Sequence, residues 1–190
     1  IQFNDPTSIT LNNDFAYIVN HESSNIIKCA VNQITKELSN CAVNASDLRY
    51  PTTMAINNGI AYIVGQNSQT VYKCTIDSAT GDLSNCTSTG SGFTYPVAIL
   101  FNNGFAYITN TETDNSTVSQ CTVDQITGEL NNCTAAGSGF NYASGIMMNN
   151  GWAYVSNRKS NSVNQCTVDT LGKLTNCITT GSNFTYPYGI

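Results

Sequence analysis

The sequence consists of four tandem copies of one unit, and this repetition limits the possible folds more than any other feature. Each copy contains an Asn pair followed by aromatic and β-branched residues, and successive copies are offset by 45, 45 and 47 residues. The strings are NNDFAYIVN from Asn12, NNGIAYIVG from Asn57, NNGFAYITN from Asn102 and NNGWAYVSN from Asn149. A second string follows each: KCAVNQITKELSNC, KCTIDSATGDLSNC, QCTVDQITGELNNC and QCTVDTLGKLTNC. A period of this length indicates that every copy forms one supersecondary unit.

Each copy is predicted to form four short antiparallel strands. Asn-Asn-Gly favours a tight hairpin turn because Asn and Gly accept positive φ angles. Four short strands per repeat of this length are typical of a propeller blade, so the predicted fold is an all-β propeller with four blades in this chain. The copies are expected to span residues 6–50, 51–95, 96–142 and 143–186 of a single propeller domain or array, with residues 187–190 beginning a further strand.

The AYIVN, AYIVG, AYITN and AYVSN strings resemble the motif of YVTN-type propeller repeats, which are relatives of NHL and lactonase-like propellers. The paired cysteines of the second string are similar to those of a disulfide-bearing subset of such repeats in bacterial secreted proteins. The resemblance covers essentially the whole chain. It implies the fold and says little about function, because this architecture carries enzymes, binding platforms and scaffolds alike.

The eight cysteines occur as two in each copy, which removes most of the 105 connectivities that eight cysteines allow. In the third copy the midpoint of the pair is Thr127, inside the predicted turn between the third and fourth strands. Folding the hairpin there places Cys121 opposite Cys133, and each such bridge should stabilise by about 3 kcal/mol. The alternative of zinc binding is disfavoured, because there is no CxxC motif and the chain has one His. The predicted disulfides are Cys29–Cys41, Cys74–Cys86, Cys121–Cys133 and Cys166–Cys177.

The composition limits which cellular compartment and which binding partners are expected. Charged residues make up 10% of the chain, against roughly 25% in ordinary soluble domains. The seven Lys and Arg residues are too few to neutralise a row of phosphates, so no nucleic-acid partner is expected. No apolar run approaches the roughly 20 residues that cross a bilayer. Together with the predicted disulfides, these features indicate a secreted or cell-surface protein, extracellular or periplasmic.

The connections between copies carry the aromatic residues that we consider as candidate ligand-binding residues. In a propeller these connections share a face with the loops between the second and third strands, around the mouth of the central channel. Rings exposed there could stack on sugars or hold a peptide. Alternatively, each ring fills the gap between neighbouring blades. The candidates are Tyr50, Tyr95, Tyr142, Tyr186, Phe93, Phe140 and Phe184.

The loops between the second and third strands differ among the copies. Variation on a constant scaffold can create a specific binding surface, and it can also reflect a loop without a function. These loops cover residues 21–24, 66–69, 111–116 and 158–161.

The sequence offers no recognisable catalytic constellation. His21 is the single histidine, and Glu22 stands beside it, but no nucleophile, metal-ligand set or orienting partner is apparent. Acidic residues such as Asp77, Asp82 and Asp124 flank the turns between the third and fourth strands and are interpreted as turn residues. We therefore assign no catalytic residue, metal or cofactor, and the chain is expected not to be an enzyme, with a lactonase-like hydrolase as the alternative.

Two further features leave alternatives open. Five Asn-x-Ser/Thr sequons are candidate sites in a glycoprotein: Asn44, Asn85, Asn115, Asn132 and Asn183. The first residues, from Asn4, align with the last ones, from Thr185. This duplication suggests a segment of a longer propeller, a four-bladed ring with an extra tail, or pairing with the next molecule.

The leading functional hypothesis is an extracellular platform for a protein or glycan ligand, and the second is a structural subunit whose copies assemble head to tail into a filament or surface layer.

Overall fold

The structure is a computed structural model that describes residues 2–111 and 114–190. Within these ranges, sixteen β-strands form four antiparallel sheets of four strands, and no helix occurs. In every sheet the strands are hydrogen-bonded in sequence order. Each sheet corresponds to one copy of the repeat, so the predicted all-β propeller fold with four-stranded blades is confirmed.

The first two blades form one compact unit, Ile1–Thr89, which we call the first unit. Blade 1 comprises β1 (Pro6–Asn12), β2 (Phe15–Asn20), β3 (Asn25–Val31) and β4 (Leu38–Ala45). Blade 2 comprises β5 (Pro51–Asn57), β6 (Ile60–Gly65), β7 (Thr70–Ile76) and β8 (Leu83–Thr89).

The third and fourth blades form the second unit, Gly90–Ile190. Blade 3 comprises β9 (Pro96–Asn102), β10 (Phe105–Asn110), β11 (Ser116–Val123) and β12 (Leu130–Phe140). Blade 4 comprises β13 (Ala143–Asn149), β14 (Trp152–Asn157), β15 (Ser162–Val168) and β16 (Leu174–Gly181). Residues 187–190, where the sequence predicts the beginning of a further strand, form none.

The turn between the first and second strands follows the Asn-Gly signal. In blade 3, Asn103 and Gly104 have φ angles of 49° and 80°, and in blade 4, Asn150 and Gly151 have 49° and 81°. Two successive positive φ angles belong to the tight turn whose twist matches that of the flanking strands. The turn therefore fixes the register of the two inner strands.

The turn between the third and fourth strands is closed by a carboxylate or amide at its first position. In blade 2, Asp77 Oδ1 accepts hydrogen bonds from the backbone N–H groups of Thr80 at 2.7 Å and Ala79 at 2.9 Å. The hydrogen bond from Thr80 is the main reason that the pKa of Asp77 lies below its usual range. Asp124 and Asp169 make the same kind of turn. The interpretation of these acidic side chains as turn residues is confirmed for Asp77 and Asp124.

All four predicted disulfides are present, one in each blade, and all eight cysteines are paired. The local geometry differs from the simple hairpin register that the spacing predicted. Gln120 faces Thr134 and Thr122 faces Asn131, so Asn132 and Cys133 together oppose Cys121 in a β-bulge. Asn132 adopts the left-handed conformation with a φ of 51°, which Asn accepts more readily than most residues. The Asn before the second cysteine of each copy is thus part of the bulge that carries the bridge.

Within each unit the blades meet through an apolar core. In the first unit, Tyr17 and Ile26 of blade 1 pack with Met54, Ile63 and Leu83 of blade 2. In the second unit, the corresponding cluster contains Tyr107 and Val118 of blade 3 and Ile146, Val155 and Leu174 of blade 4. The apolar positions of the repeat therefore serve mainly to join neighbouring blades.

Disulfides persist in oxidising surroundings, so the four bridges are typical of an extracellular or periplasmic protein. Among the described residues, no helix has the length and apolar character needed to cross a membrane.

Candidate functional site

In each blade, two residues meet at the place where the first strand begins and the second strand ends. We call the residue before the first strand the entry residue and the residue after the second strand the exit residue. The N–H of each exit residue donates to the carbonyl oxygen of the entry residue at 3.0–3.1 Å. Every entry residue has a φ between 45° and 57°, although none of them is glycine. The pairs are Asp5 with His21, Tyr50 with Gln66, Tyr95 with Thr111, and Tyr142 with Arg158.

Positive φ angles are unusual for residues as bulky as Tyr, and such backbone strain is often found at functional positions. In this protein the strain recurs in all four blades, so it belongs to the repeat itself. What differs between blades is the side chain that the constant backbone presents.

Blade 1 alone places a carboxylate and an imidazole at these two positions. Asp5 Oδ2 lies 3.3 Å from His21 Nδ1, and Glu22 Oε1 lies 3.7 Å from the same nitrogen. These three ligand atoms are all within 4.8 Å of one another. The His21 side chain is 20% exposed, whereas those of Asp5 and Glu22 are 57% and 52% exposed. His21 is thus largely buried, and two carboxylates that were not recognised in the sequence as a cluster lie beside its ring.

Sequence reasoning missed this cluster because Asp5 lies 16 positions before His21 and outside the strongly repeated strings. A signal was present, since Asp5-Pro6 aligns with Tyr50-Pro51 and Tyr95-Pro96. Asp5 is thus the one acidic residue at a position that is otherwise tyrosine.

Neighbouring groups hold the cluster in place. The ring of Tyr50 contacts the His21 ring edge-on, with 5.1 Å between the ring centroids. The preceding residue, Asn20, is fully buried, and its side-chain oxygen accepts from Asn4 N–H at 3.4 Å. Its side-chain nitrogen donates to Asn25 Oδ1 at 2.9 Å. Asn20, the last residue of the AYIVN motif, therefore links the residues before β1 to the end of β2 through its side-chain hydrogen bond.

Asn110 and Asn157 perform the same task in blades 3 and 4. Their side-chain oxygens accept from Thr94 N–H at 3.1 Å and Asn141 N–H at 3.0 Å. The sequence showed this Asn as a repeated letter, and only the structure shows that it positions the residues before the entry residue.

The aromatic candidates separate into two groups. Phe93 and Phe140 are 4% and 1% exposed, and Phe140 belongs to the core between blades 3 and 4. The burial of both rings favours the alternative packing role for these two residues over ligand binding. Phe184, in contrast, is exposed, and so are Tyr50, Tyr95 and Tyr186, while Tyr142 is half-buried.

Blade 4 combines aromatic and cationic side chains. The Arg158 guanidinium carbon lies 5.9 Å from the centre of the Tyr186 ring and 5.6 Å from that of Tyr188. Lys159 Nζ lies 5.3 Å from the centre of the Tyr142 ring and donates to Asp114 Oδ1 at 2.6 Å. The hydrogen bond to Asp114 is the main cause of the raised pKa of Lys159. These distances fall within the range of cation–π contacts.

The remaining candidates are distributed over the chain. Of the loop 111–116, residues 112 and 113 lie outside the described residues.

Among the sequons, the Asn44 amide is bound to Asp82 and to Leu83 N–H, and Asn132 lies in the disulfide bulge. Asn115 Oδ1 accepts from Gly139 N–H, and Asn85 Nδ2 donates to Thr75 Oγ1. Asn183 is exposed, with a φ of 66°. Glycosylation stays a prediction at all five.

Residues 4–101 match the family described as "Lactonase, 7-bladed beta-propeller". No curated protein is similar to the chain in sequence at a significant level. Solved structures share the fold at low identity. A periplasmic gluconolactonase of Pseudomonas aeruginosa is 12% identical with a TM-score of 0.74, over 96% of this chain and 55% of that protein. An auxiliary nutrient binding protein of Bacteroides ovatus is 15% identical with a TM-score of 0.70, over 97% of this chain and 53% of that protein.

A protein from Lactobacillus plantarum is 18% identical with a TM-score of 0.72, over 93% of this chain and 57% of that one. The chain thus spans little more than half the length of these three structures. The family match confirms the resemblance to lactonase-like propellers that the repeat strings indicated. It also overturns the expectation that the chain is not an enzyme, because the matching family is one of lactonases.

Proposed function

Because the chain belongs to the lactonase family of seven-bladed β-propellers, we propose that it takes part in the hydrolysis of lactones. We propose further that the Asp5–His21–Glu22 cluster activates the attacking water. A lactone is a cyclic ester, so its hydrolysis adds water to the carbonyl carbon, breaks the ring C–O bond and yields a hydroxy acid. The chemistry needs a group that draws a proton from water, and hydrogen-bond donors or positive charge that stabilise the oxygen bearing the developing negative charge.

The observation that carries the proposal is the placement of this cluster within the matched segment 4–101. Imidazole and carboxylate are the side chains that most often exchange protons near neutral pH. The entry and exit residues of the other blades hold tyrosine with Gln, Thr or Arg, and none of these pairs joins an imidazole to a carboxylate.

The test is a hydrolysis assay in which acid release from a panel of sugar-acid lactones is measured with the 190-residue chain. For His21→Gln we expect a loss of at least about 100-fold in kcat/KM, the lower range for removing a proton-transferring group. Asp5→Asn should cause a smaller loss. The matched control is Gln66→Ala, which changes the exit residue of blade 2 and should leave hydrolysis unchanged.

Two results would contradict the proposal. One is that the native chain opens none of the lactones faster than buffer. The other is that His21→Gln and Gln66→Ala hydrolyse them at the same rate as the native chain.

A second candidate function is glycan binding on blade 4. It is favoured by the Arg158 guanidinium beside the exposed rings of Tyr186 and Tyr188, since aromatic faces stack on sugar rings and Arg binds their acidic substituents. A glycan array should give signals that Tyr186→Ala and Arg158→Gln both lower by at least tenfold. The control is Tyr95→Ala, which removes the corresponding ring of blade 3. Equal signals from all three variants would exclude this surface.

We also propose that the protein is secreted or held at the cell surface, in an extracellular or periplasmic compartment, because all eight cysteines are paired in four disulfides. Thiol labelling of protein taken directly from its source should modify no cysteine until a reductant is added. Labelling of all eight before reduction would contradict this location.

A further inference from the structure

His21 Nδ1 is buried, yet it makes no hydrogen bond with any of the described residues. Both carboxylates are close to it, at 3.3 and 3.7 Å, but neither accepts a hydrogen bond from it. Buried polar atoms without a partner are rare and call for an explanation. If Asp5 served only to orient the imidazole, an aligned Nδ1–H to carboxylate bond would be expected. The nitrogen instead lies within 3.7 Å of two carboxylate oxygens without bonding to either, so its lone pair is available to a cation that these oxygens also bind.

We propose that Asp5, His21 and Glu22 bind a divalent transition-metal ion, Zn²⁺ or Mn²⁺, at the strand ends of blade 1. This inference rests on the proposed function only in that it concerns the same cluster, since metal binding is measured without any lactone.

The donor spacing suits such an ion. Zinc bonds to imidazole nitrogen and carboxylate oxygen measure about 2.0–2.2 Å, which places neighbouring donors about 3–3.5 Å apart in tetrahedral or octahedral geometry. The distances from Nδ1 to Asp5 Oδ2 and Glu22 Oε1, 3.3 and 3.7 Å, are close to this spacing. The side chains of Asp5 and Glu22 are both more than half exposed, so small rotations can bring their carboxylate oxygens to bonding distance from the ion.

The charge of the cluster also favours a divalent cation. Within the described part of the chain, Asp5 and Glu22 form ion pairs with no residue other than His21. Two carboxylates around one imidazole therefore leave negative charge that a dication would neutralise. The imidazole ligand favours Zn²⁺ over Ca²⁺ and Mg²⁺, and Mn²⁺ is suited to the two carboxylate ligands.

The backbone holds two of the three ligands ready. The Asp5 carbonyl accepts from His21 N–H at 3.0 Å, and the Tyr50 ring lies against the imidazole. Three protein ligands leave coordination positions for water, the arrangement of catalytic rather than structural zinc sites. The ion would thereby supply positive charge that can stabilise the oxyanion formed when a lactone opens.

The proposal is tested by titrating the chelator-treated 190-residue chain with Mn²⁺, followed by electron paramagnetic resonance, and with Zn²⁺ in competition with a coloured chelator. The native chain should bind one equivalent of metal. His21→Gln and Glu22→Gln should each weaken metal binding at least about tenfold. Loss of a residue that only supports a metal ligand already weakens binding by about that factor, and these residues are proposed as ligands. The control is Asp114→Asn, an exposed carboxylate of the second unit, which should bind as the native chain does.

Unfolding midpoints of the variants establish that they are folded. Failure of the native chain to bind either metal at millimolar concentration would overturn the inference, and so would unchanged binding in both cluster variants. If no metal binds but His21→Gln still abolishes hydrolysis, the metal site is wrong and the proposed function stands. If metal binds at the cluster but no lactone is opened, the proposed function is wrong and the metal site stands.

Discussion

The junction between blades 1 and 2 and the junction between blades 3 and 4 are built around the same contact. In the first unit the Tyr17 hydroxyl donates to the carbonyl oxygen of Gly81 at 2.7 Å. In the second unit the Tyr107 hydroxyl donates to the carbonyl oxygen of Gly172 at 3.0 Å. In both cases a buried tyrosine from the AY motif of one blade reaches the turn between the third and fourth strands of the next. Burial raises the pKa of both phenols, so they remain protonated donors.

The polar groups around this contact differ between the junctions. In the first unit, Lys28 forms an ion pair with Asp82 and donates to the carbonyl oxygen of Thr80. In the second unit, Gln120 donates to the carbonyl oxygen of Leu171, and Lys173 occupies the position of Asp82. The constant part of the repeat is therefore the tyrosine and the glycine it meets, while the surrounding charges are exchangeable.

The largest effect on stability is expected from Gly172→Ala. A Cβ there would overlap the Gln120 side-chain amide and lie 2.5 Å from Tyr107 Oη, at a φ of 77°. The left-handed conformation and the forced repacking together should destabilise by about 3 kcal/mol. Gly81→Ala, whose Cβ would meet the Phe15 ring at 2.5 Å, should behave similarly.

The matched control for these two variants is Gly151→Ala, where φ is 81° but nothing lies within 4 Å of the added carbon. It should lose only about 1 kcal/mol, the cost of the backbone conformation. The measurement is urea unfolding of the three variants. Equal losses would show that the glycines serve only the turn and not the junction.

Removal of the tyrosine hydroxyls should have the next largest effect. Tyr17→Phe and Tyr107→Phe leave the carbonyl oxygen of Gly81 or Gly172 without its buried donor, so each should cost about 1–2 kcal/mol in urea unfolding. Tyr154→Phe is the control in blade 4, because the hydroxyl of this half-buried tyrosine accepts from Gln165 Nε2 at 3.1 Å within its own blade. A loss at Tyr154 as large as that at Tyr107 would contradict the comparison.

A smaller effect of opposite sign is expected in blade 1. Lys36 stands at the position of Gly81 and Gly172 with a φ of 63°, and its side chain is exposed. Lys36→Gly relieves the left-handed strain but gives the unfolded chain more freedom, so we expect a gain of at most about 1 kcal/mol. Thermal unfolding would check this, with Lys159→Gly as the comparison at a position outside the positive-φ set. A loss above that of Lys159→Gly would show that the Lys36 side chain itself stabilises the turn.

The smallest effect concerns acid. The hydrogen bond from Lys28 is the main reason that the pKa of Asp82 lies below its usual range. A folded-state pKa below the unfolded value of about 3.9 means that the ionised form stabilises the fold above that pH. This contribution is lost as the pH falls below about 4 and through the folded-state pKa.

The measurement is the unfolding midpoint between pH 6 and pH 3 for the native chain and for Asp82→Asn, which should show a smaller decline. Lys173→Gln is the comparison in the second unit, because Lys173 donates to the neutral acceptors Thr134 Oγ1 and Ala135 O. It should keep the acid dependence of the native chain. Identical declines in the native chain and Asp82→Asn would remove the ion pair as the source of acid sensitivity.

The sequence by itself determined the blades, their hairpin turns and the cysteine pairs. These features depend on residues close together along the chain: two residues such as Asn103 and Gly104 set a turn, and twelve positions separate Cys121 from Cys133. Local backbone preferences and the fourfold repetition were sufficient for them. The bulge at Asn132 was not foreseen, because a spacing of cysteines does not show which strand carries an extra residue.

Only the tertiary structure decided which repeated residues are buried and which are available for chemistry. Phe140 and Phe184 occupy equivalent positions of the repeat, yet the first is buried in a core and the second is exposed. His21 acquired its partner Asp5 because β1 and β2 bring their ends together, and Tyr17 reached Gly81 across 64 positions. The physical reason is that burial and side-chain proximity depend on what packs against a position, which a pattern repeated identically in every blade does not contain.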